Sequence, residues 1–256
     1  MVTARHKNTA ITLKGLSKSF SEEEENPAYV LENVDLTIKQ GEFYILLGPS
    51  GCGKSTLLNI LAHFIDKTDG QLQLHGAGAA NEASRGFIFQ SAESALFPWL
   101  TVEENVQFGL KMKKLPVRER KQKAMHYLQL AGLAGHQHKF PSEISGGMKQ
   151  RVQLARVLAN DPDILLMDEP FGALDAMTRR TMQKELIRIW QETNKTIIFV
   201  THDLHEALQL GQHIGIMSVG PSSRITHAYQ VDLPYPREVT SPEFNWYYDT
   251  IQSHFD

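Results

Sequence analysis

The chain has 256 residues, of which 41% are apolar and 21% charged; it is long enough for one or two domains with a proper hydrophobic core and too apolar for a disordered chain. With 26 Lys and Arg against 29 Asp and Glu, the net charge of −3 excludes the basic footprint of a general nucleic-acid binder. One cysteine, Cys52, permits neither an intrachain disulfide nor a cysteine-based zinc site and fits a reducing compartment.

The opening residues, Met1 to Asn8, are polar and lack the apolar stretch of an export signal. No window approaches the ~18 consecutive apolar residues of a membrane helix, so work at a membrane would need another chain to provide the span. In chain order, Ile11-Thr12-Leu13, Val30 to Ile38 and Gln71 to Leu74 alternate apolar with polar, which predicts an antiparallel, half-solvated sheet. The acidic tetrad Glu22 to Glu25 reads as a solvated loop. Tyr44 to Leu47, Ile164 to Met167 and Thr196 to Val200 are short continuous apolar runs. They predict strands buried on both faces of a parallel sheet. Between about residues 91 and 160 the pattern is helical and predicts a helical insertion. Pro116 takes the first helical position there; Val117, Ala124, Leu128 and Ala131 share a face, and Gly132 ends the helix. The cations from Lys111 to Lys123 read as a solvated helix face, and His136-Gln137-His138 as a surface loop rather than a metal site. From about Ala228 onward Pro234, Pro236 and Pro242 break the chain up, and Phe244, Trp246, Tyr247 and Tyr248 follow. That tail is too short for a second domain.

The strongest local signal is Gly48-Pro49-Ser50-Gly51-Cys52-Gly53-Lys54-Ser55-Thr56, between the Tyr44–Leu47 run and the helical Leu57 to Leu61. Its glycines let successive N–H groups curl inward as an anion nest, and the helix behind adds its positive end. Lys54 brings a point charge to β- and γ-phosphates, and the Ser55 hydroxyl can join a magnesium ion. Cys52, inside the loop, reads as a small filler whose modification would block nucleotide binding. Farther on, the apolar run Ile164 to Met167 ends in Asp168 and Glu169. Strand alternation would point the two acids in opposite directions, Asp168 to magnesium and Glu169 to an attacking water.

Four further segments complete the set: Gln90 after Gly86-Phe87-Ile88-Phe89; Ile144-Ser145-Gly146-Gly147-Met148-Lys149-Gln150-Arg151 opening a helix; Ala173-Leu174-Asp175; and His202 closing the strand Thr196 to Thr201. With them the chain resembles the ATPase subunit of an ABC transporter, from about residue 11 to about residue 218. The resemblance implies an α/β P-loop NTPase fold with a mainly parallel core sheet, an antiparallel β subdomain and an inserted helical subdomain. It implies an ATPase domain over residues 1–228, the helical insertion at about 91–160, and a tail over 229–256. ATP and Mg2+ would bind, and two copies would pack head to tail. Phe20 would stack on adenine; Gln90 would touch the magnesium and report to the permease. Ser145, Gly146, Gly147 and Met148 would meet the γ-phosphate on the opposite copy. Asp175 would contact that copy, and His202 the γ-phosphate. Met148 departs from the family's usual glutamine, and the phosphate contact would then rest on the amides and Ser145.

Phe97-Pro98-Trp99-Leu100-Thr101-Val102 with Glu104-Asn105-Val106, Asp168 to Asp175, and Phe199-Val200-Thr201-His202-Asp203 with Glu206-Ala207 are similar to the nitrate, sulfonate and taurine importer group. That implies an energising subunit at the cytoplasmic face of the cell membrane. Its partners would be transmembrane permease subunits, a second copy of itself and, indirectly, a solute-binding protein, with no nucleic acid. Importers of other small solutes, such as a thiamine pyrimidine precursor, and a non-transport ABC ATPase remain alternatives. A small-molecule kinase would need an acceptor pocket instead of the signature helix.

Overall fold

The structure is a computed structural model of the chain and describes residues 9–21, 28–75 and 85–255. The acidic tetrad Glu22 to Glu25 lies outside the described residues. In order, the elements are β1 (Thr9–Ser19), β2 (Tyr29–Lys39), β3 (Phe43–Leu47), α1 (Lys54–Leu61), β4 (Asp69–Leu74) and β5 (Arg85–Ile88). The helices α2 (Ala92–Ala95), α3 (Val102–Met112), α4 (Val117–Leu130) and α5 (Gly146–Ala159) follow. The chain ends with β6 (Ile164–Asp168), α6 (Ala176–Thr193), β7 (Thr196–Thr201), α7 (Leu204–Leu210), β8 (His213–Met217), β9 (Ile225–Gln230) and α8 (Pro242–Gln252). Two compact units share these elements: Met1–Glu82 with Asn194–Asp256, and Ala83–Thr193.

In the first unit, β1 lies between β2 and β4 in an antiparallel sheet. β1 buries Ile11, Thr12 and Leu13 alike, so the expected half-solvated face is lost there. The edge strand β4 keeps its alternation. The continuous apolar runs behave as their composition demands. β3 pairs in parallel with β7 and with β8, and every residue of β3 and β7 is buried. β9 pairs antiparallel with β8.

The tail contains a helix that its prolines seemed to forbid. Pro242 sits in the first turn of α8, where a missing N–H costs nothing, and Ser241 caps the turn by accepting from the Phe244 N–H at 3.2 Å. Phe244 and Ile251 are fully buried, whereas Trp246 is 60% exposed. Arg237 holds the approach to this helix. Its guanidinium donates to the carbonyls of Leu208, Gly211, Val231 and Leu233 and lies over the Tyr235 ring.

In the second unit, β5 and β6 pair in parallel, Arg85 opposite Ile164 through Ile88 opposite Met167. Helices α3, α4 and α5 enclose a core that includes Val106, Leu110, Ala124, Leu128, Val152 and Ala155. Each valine or leucine among them contributes roughly 1.5–3 kcal/mol on burial, and each alanine less. α3 starts at a capping box in which Thr101 and Glu104 satisfy each other's backbone N–H groups. For α4 two details differ from expectation. Pro116, with ψ 146°, is the cap and not the first helical residue, and this places Val117 on the solvent side at 58% exposure. Ala124, Leu128 and Ala131 are buried, and Gly132 follows with φ +67°. In the basic stretch Lys113 donates to the Asn160 carbonyl at 2.8 Å and Lys123 lies 4.0 Å from Glu119, as expected of a solvated helix face. Among the described residues, no helix is long and apolar enough to cross a membrane.

Candidate active site

In the first unit, β3 runs directly into the phosphate loop. Gly51 and Gly53 have φ of +82° and +89°, and this left-handed backbone is what glycine tolerates best. At Gly53 a side chain would also collide with Leu31, 2.8 Å from the position of a Cβ. Gly53 is the cap of α1 and offers no side-chain hydrogen bond, so no side chain caps the helix's first-turn N–H groups at that position. Lys54 is buried, and its ammonium donates to the carbonyls of Gly48 and Pro49 at 2.7 and 2.8 Å. The charge is therefore held inside the curl of the loop. Ser55 is exposed and Thr56 half-buried. Cys52 is 1% exposed, and burial pushes its thiol pKa up against the lowering influence of Lys54. A buried, protonated thiol suits the filler reading. Pro49 is half-buried and Ser50 exposed.

Phe20 follows β1 with 60% of its surface exposed, and the Lys18 ammonium sits 4.7 Å from its ring centroid. At the end of β7, Thr201 donates to Glu206 at 2.6 Å and accepts from the Asp203 N–H at 3.0 Å. Asp203 caps α7 through the Glu206 N–H. These bonds fix the turn that exposes His202. Thr201 and Glu206 are supporting residues that the sequence displayed only as neighbours of the histidine.

In the second unit, β6 ends at Asp168, and Glu169 lies beyond it with φ +41°. The divergence expected from strand alternation therefore does not apply; the left-handed backbone at Glu169 sets its direction instead. The Gly172 N–H donates to the Glu169 carbonyl at 3.1 Å. A Cβ at Gly172 would stand 3.4 Å from the Gln90 amide nitrogen and 3.9 Å from a Glu169 carboxylate oxygen. The two side chains thus flank the same glycine, and a Cβ there would stand in ordinary van der Waals contact with both.

Ser145 caps α5 by accepting from the Met148 N–H at 3.3 Å. Gly146 is exposed with open space about it, whereas a side chain on Gly147 would meet Thr178 at 2.4 Å. Met148 is half-buried and packs against the helical core, which gives its side chain an apolar role. Asp175 accepts from the N–H groups of Met177 and Thr178 at 3.1 and 3.0 Å, and these bonds, with the Thr178 hydroxyl, hold its pKa below the usual aspartate value. Within one chain Asp175 is therefore a helix cap.

Among the described residues, no group of three or more His, Cys, Asp or Glu side chains could hold a metal ion.

The family profile described as ABC transporter matches residues 31–172. The aliphatic sulfonates import ATP-binding protein of Bacillus subtilis is 43% identical over 248 residues, covering 96% of this chain and 94% of that protein. The taurine import ATP-binding protein of Jannaschia sp. is 46% identical over 231 residues, 90% of this chain and 84% of that protein. Among solved structures, the ADP- and Pi-bound dimer of the ATP-binding cassette MJ0796, described as a post-hydrolysis state, aligns with a TM-score of 0.72 at 33% identity, covering 86% of this chain and 98% of that one. CbiO1 from Clostridium perfringens aligns at 0.80 and 26% identity over 96% of each chain. The chain belongs to the ABC transporter family.

Proposed function

We propose that the protein is the ATP-binding and ATP-hydrolysing subunit of an importer for a small solute of the sulfonate or taurine type. The observation that carries this reading is the phosphate loop. Two left-handed glycines, a buried lysine and a helix start without a side-chain cap at Gly53 form an anion cradle at the end of a buried strand. Names of relatives at 43–46% identity over at least 90% of the chain supply the transport setting.

In this reading Gly48 to Thr56 receive the triphosphate and Phe20 stacks on the base. Ser145, Gly146, Gly147 and Met148 of a second copy face the γ-phosphate across a homodimer, with Asp175 at the same interface. Glu169 orients and deprotonates the attacking water, and His202 steadies the γ-phosphate. Ser55, Gln90 and Asp168 would hold Mg2+. A hydroxyl, an amide oxygen and one carboxylate are the hard oxygen donors that ion prefers, and a sparse protein set suits an ion that keeps water and phosphate oxygens. The bound ion would neutralise charge on the phosphates. The subunit would sit peripherally at the cytoplasmic face of the membrane on permease subunits, with a solute-binding protein delivering cargo to them.

Two variants test the assignment. Glu169→Gln should bind ATP, accumulate as a dimer on size-exclusion chromatography and lose about 100-fold or more in turnover, the usual share of a general base. Lys54→Ala should weaken ATP binding. Rapid turnover by the first variant, or undiminished ATP affinity in the second, would refute the roles given to these residues.

A further inference from the structure

One face of α5 grips the chain on both sides of Gln90. Lys149, Gln153 and Arg156 are spaced four and three residues apart, so they line up along a single stripe of the helix. Gln153 is 2% exposed. With its amide oriented so that the oxygen faces the Phe89 N–H, it accepts from that N–H at 2.7 Å and donates to the Phe89 carbonyl at 3.3 Å. Both backbone groups of the residue before Gln90 are thus tied to the helix.

Beyond Gln90, the Lys149 ammonium meets the Glu93 carboxylate at 2.5 Å, and the Glu93 carboxyl pKa is lowered by that lysine. Arg156 donates to the Ala95 carbonyl at 2.5 Å and lies 4.5 Å from the centroid of the Phe97 ring. Burial lowers the Arg156 pKa. A cation taken this far out of water is costly unless its contacts are held in place. Arg156 therefore gains from keeping Ala95 and Phe97 where they are.

The same helix begins at Ser145, one turn before Lys149. We infer that the Lys149–Gln153–Arg156 stripe is a clamp that makes the Gln90 segment and the Ser145 end of α5 move as one body, with Gln153 as its central positioning residue. The clamp gives a route by which displacement of the Gln90 segment reaches the residues assigned to the partner copy's γ-phosphate. It rests on the functional reading above for what those two ends do, but its geometry stands independently of that reading.

The test uses the full chain and two variants. Gln153→Leu keeps the buried volume and removes both bonds to Phe89; Glu93→Gln changes an exposed residue and removes the ion pair. Hydrogen exchange is followed by mass spectrometry over residues 85–97 and 145–159, alongside ATP affinity and steady-state hydrolysis. In Gln153→Leu, exchange should rise on the order of tenfold in the first peptide, the worth of one or two hydrogen bonds, and rise together in the second. Glu93→Gln should move both peptides in the same direction by less. In Gln153→Leu kcat, expressed per ATP-binding site counted by titration, should fall while KM and ATP affinity stay at the wild-type values; an unfolded fraction would lower the number of sites and leave kcat per site unchanged. Faster exchange confined to residues 85–97, an unchanged kcat, or a KM that shifts with it would overturn the clamp. If the wild-type chain hydrolysed no ATP, the reading of the preceding section would fall, and the clamp would be decided by the paired exchange alone.

Discussion

Gly48 offers a quantitative test of how tightly the phosphate loop is built. A methyl group at this position would lie 2.9 Å from the Cys52 sulfur, 3.2 Å from the Met217 carbonyl oxygen and 3.3 Å from the Met217 Cβ. Cys52 is 1% exposed, and the carbonyl belongs to the backbone of β8. Overpacking of this kind costs about 1–3 kcal/mol. If Gly48→Ala relieves the clash by shifting the loop, ATP must restore the original curl on binding. The dissociation constant should then rise by roughly 5- to 150-fold, the same energy expressed as affinity. Cys52→Ala alone removes a small side chain that makes no required contact with ligand, and should alter affinity little. In the double variant the sulfur clash is gone and only the Met217 contacts remain. The two substitutions should therefore be non-additive, with the double variant recovering on the order of tenfold in affinity over Gly48→Ala alone. Isothermal titration with ATP on the four proteins closes the cycle. Additive effects, or wild-type affinity in Gly48→Ala, would show that the loop has slack the packing denies.

Two further outcomes follow from single side chains. Arg237 is 8% exposed and donates to four carbonyls, so Arg237→Ala strands several buried acceptors; counting about two bonds at ~1.5–3 kcal/mol each gives a local loss of roughly 3–6 kcal/mol. Limited proteolysis should then cut near residues 232–241 much faster while ATP affinity is kept, and wild-type resistance there would contradict the anchoring role. Asp175 has a depressed pKa from its bonds to the start of α6, so its contribution to that cap is complete above the ordinary aspartate value of about 3.9 and disappears as pH falls through the lowered one. The Met177 and Thr178 amide shifts should titrate together with a midpoint under that value, and a midpoint at or above it would exclude the cap as the cause.

What could be read from the sequence was whatever depends on neighbours along the chain. A phosphate loop is a local object, since its glycines, lysine and following helix lie within a few residues of one another, and Gly51 and Gly53 adopt the backbone their chemistry allows. The buried strands β3 and β7 were legible for the same reason, because a short unbroken apolar run leaves no solvent face. Burial set by what packs on the sheet faces is less legible: Ile11, Thr12 and Leu13 alternate as a half-solvated strand would, yet all three are buried. Glu169 stands one residue past the strand, where the backbone is left-handed, so alternation along β6 does not set its direction. At α8 the signal is local, because Ser241-Pro242-Glu243 is a helix start and not a breaker when the proline falls in the first turn. Gln153 shows the deeper limit. Its partner is the backbone of Phe89, 153 − 89 = 64 residues away in the chain, and a main-chain N–H carries no side-chain identity for a motif to record. Residues that touch phosphate must be of particular types and so advertise themselves. Residues that hold those residues in place need only reach a backbone, and the fold alone reveals them. Site function should accordingly be as sensitive to the silent contacts of α5 as to the conspicuous ones of the loop.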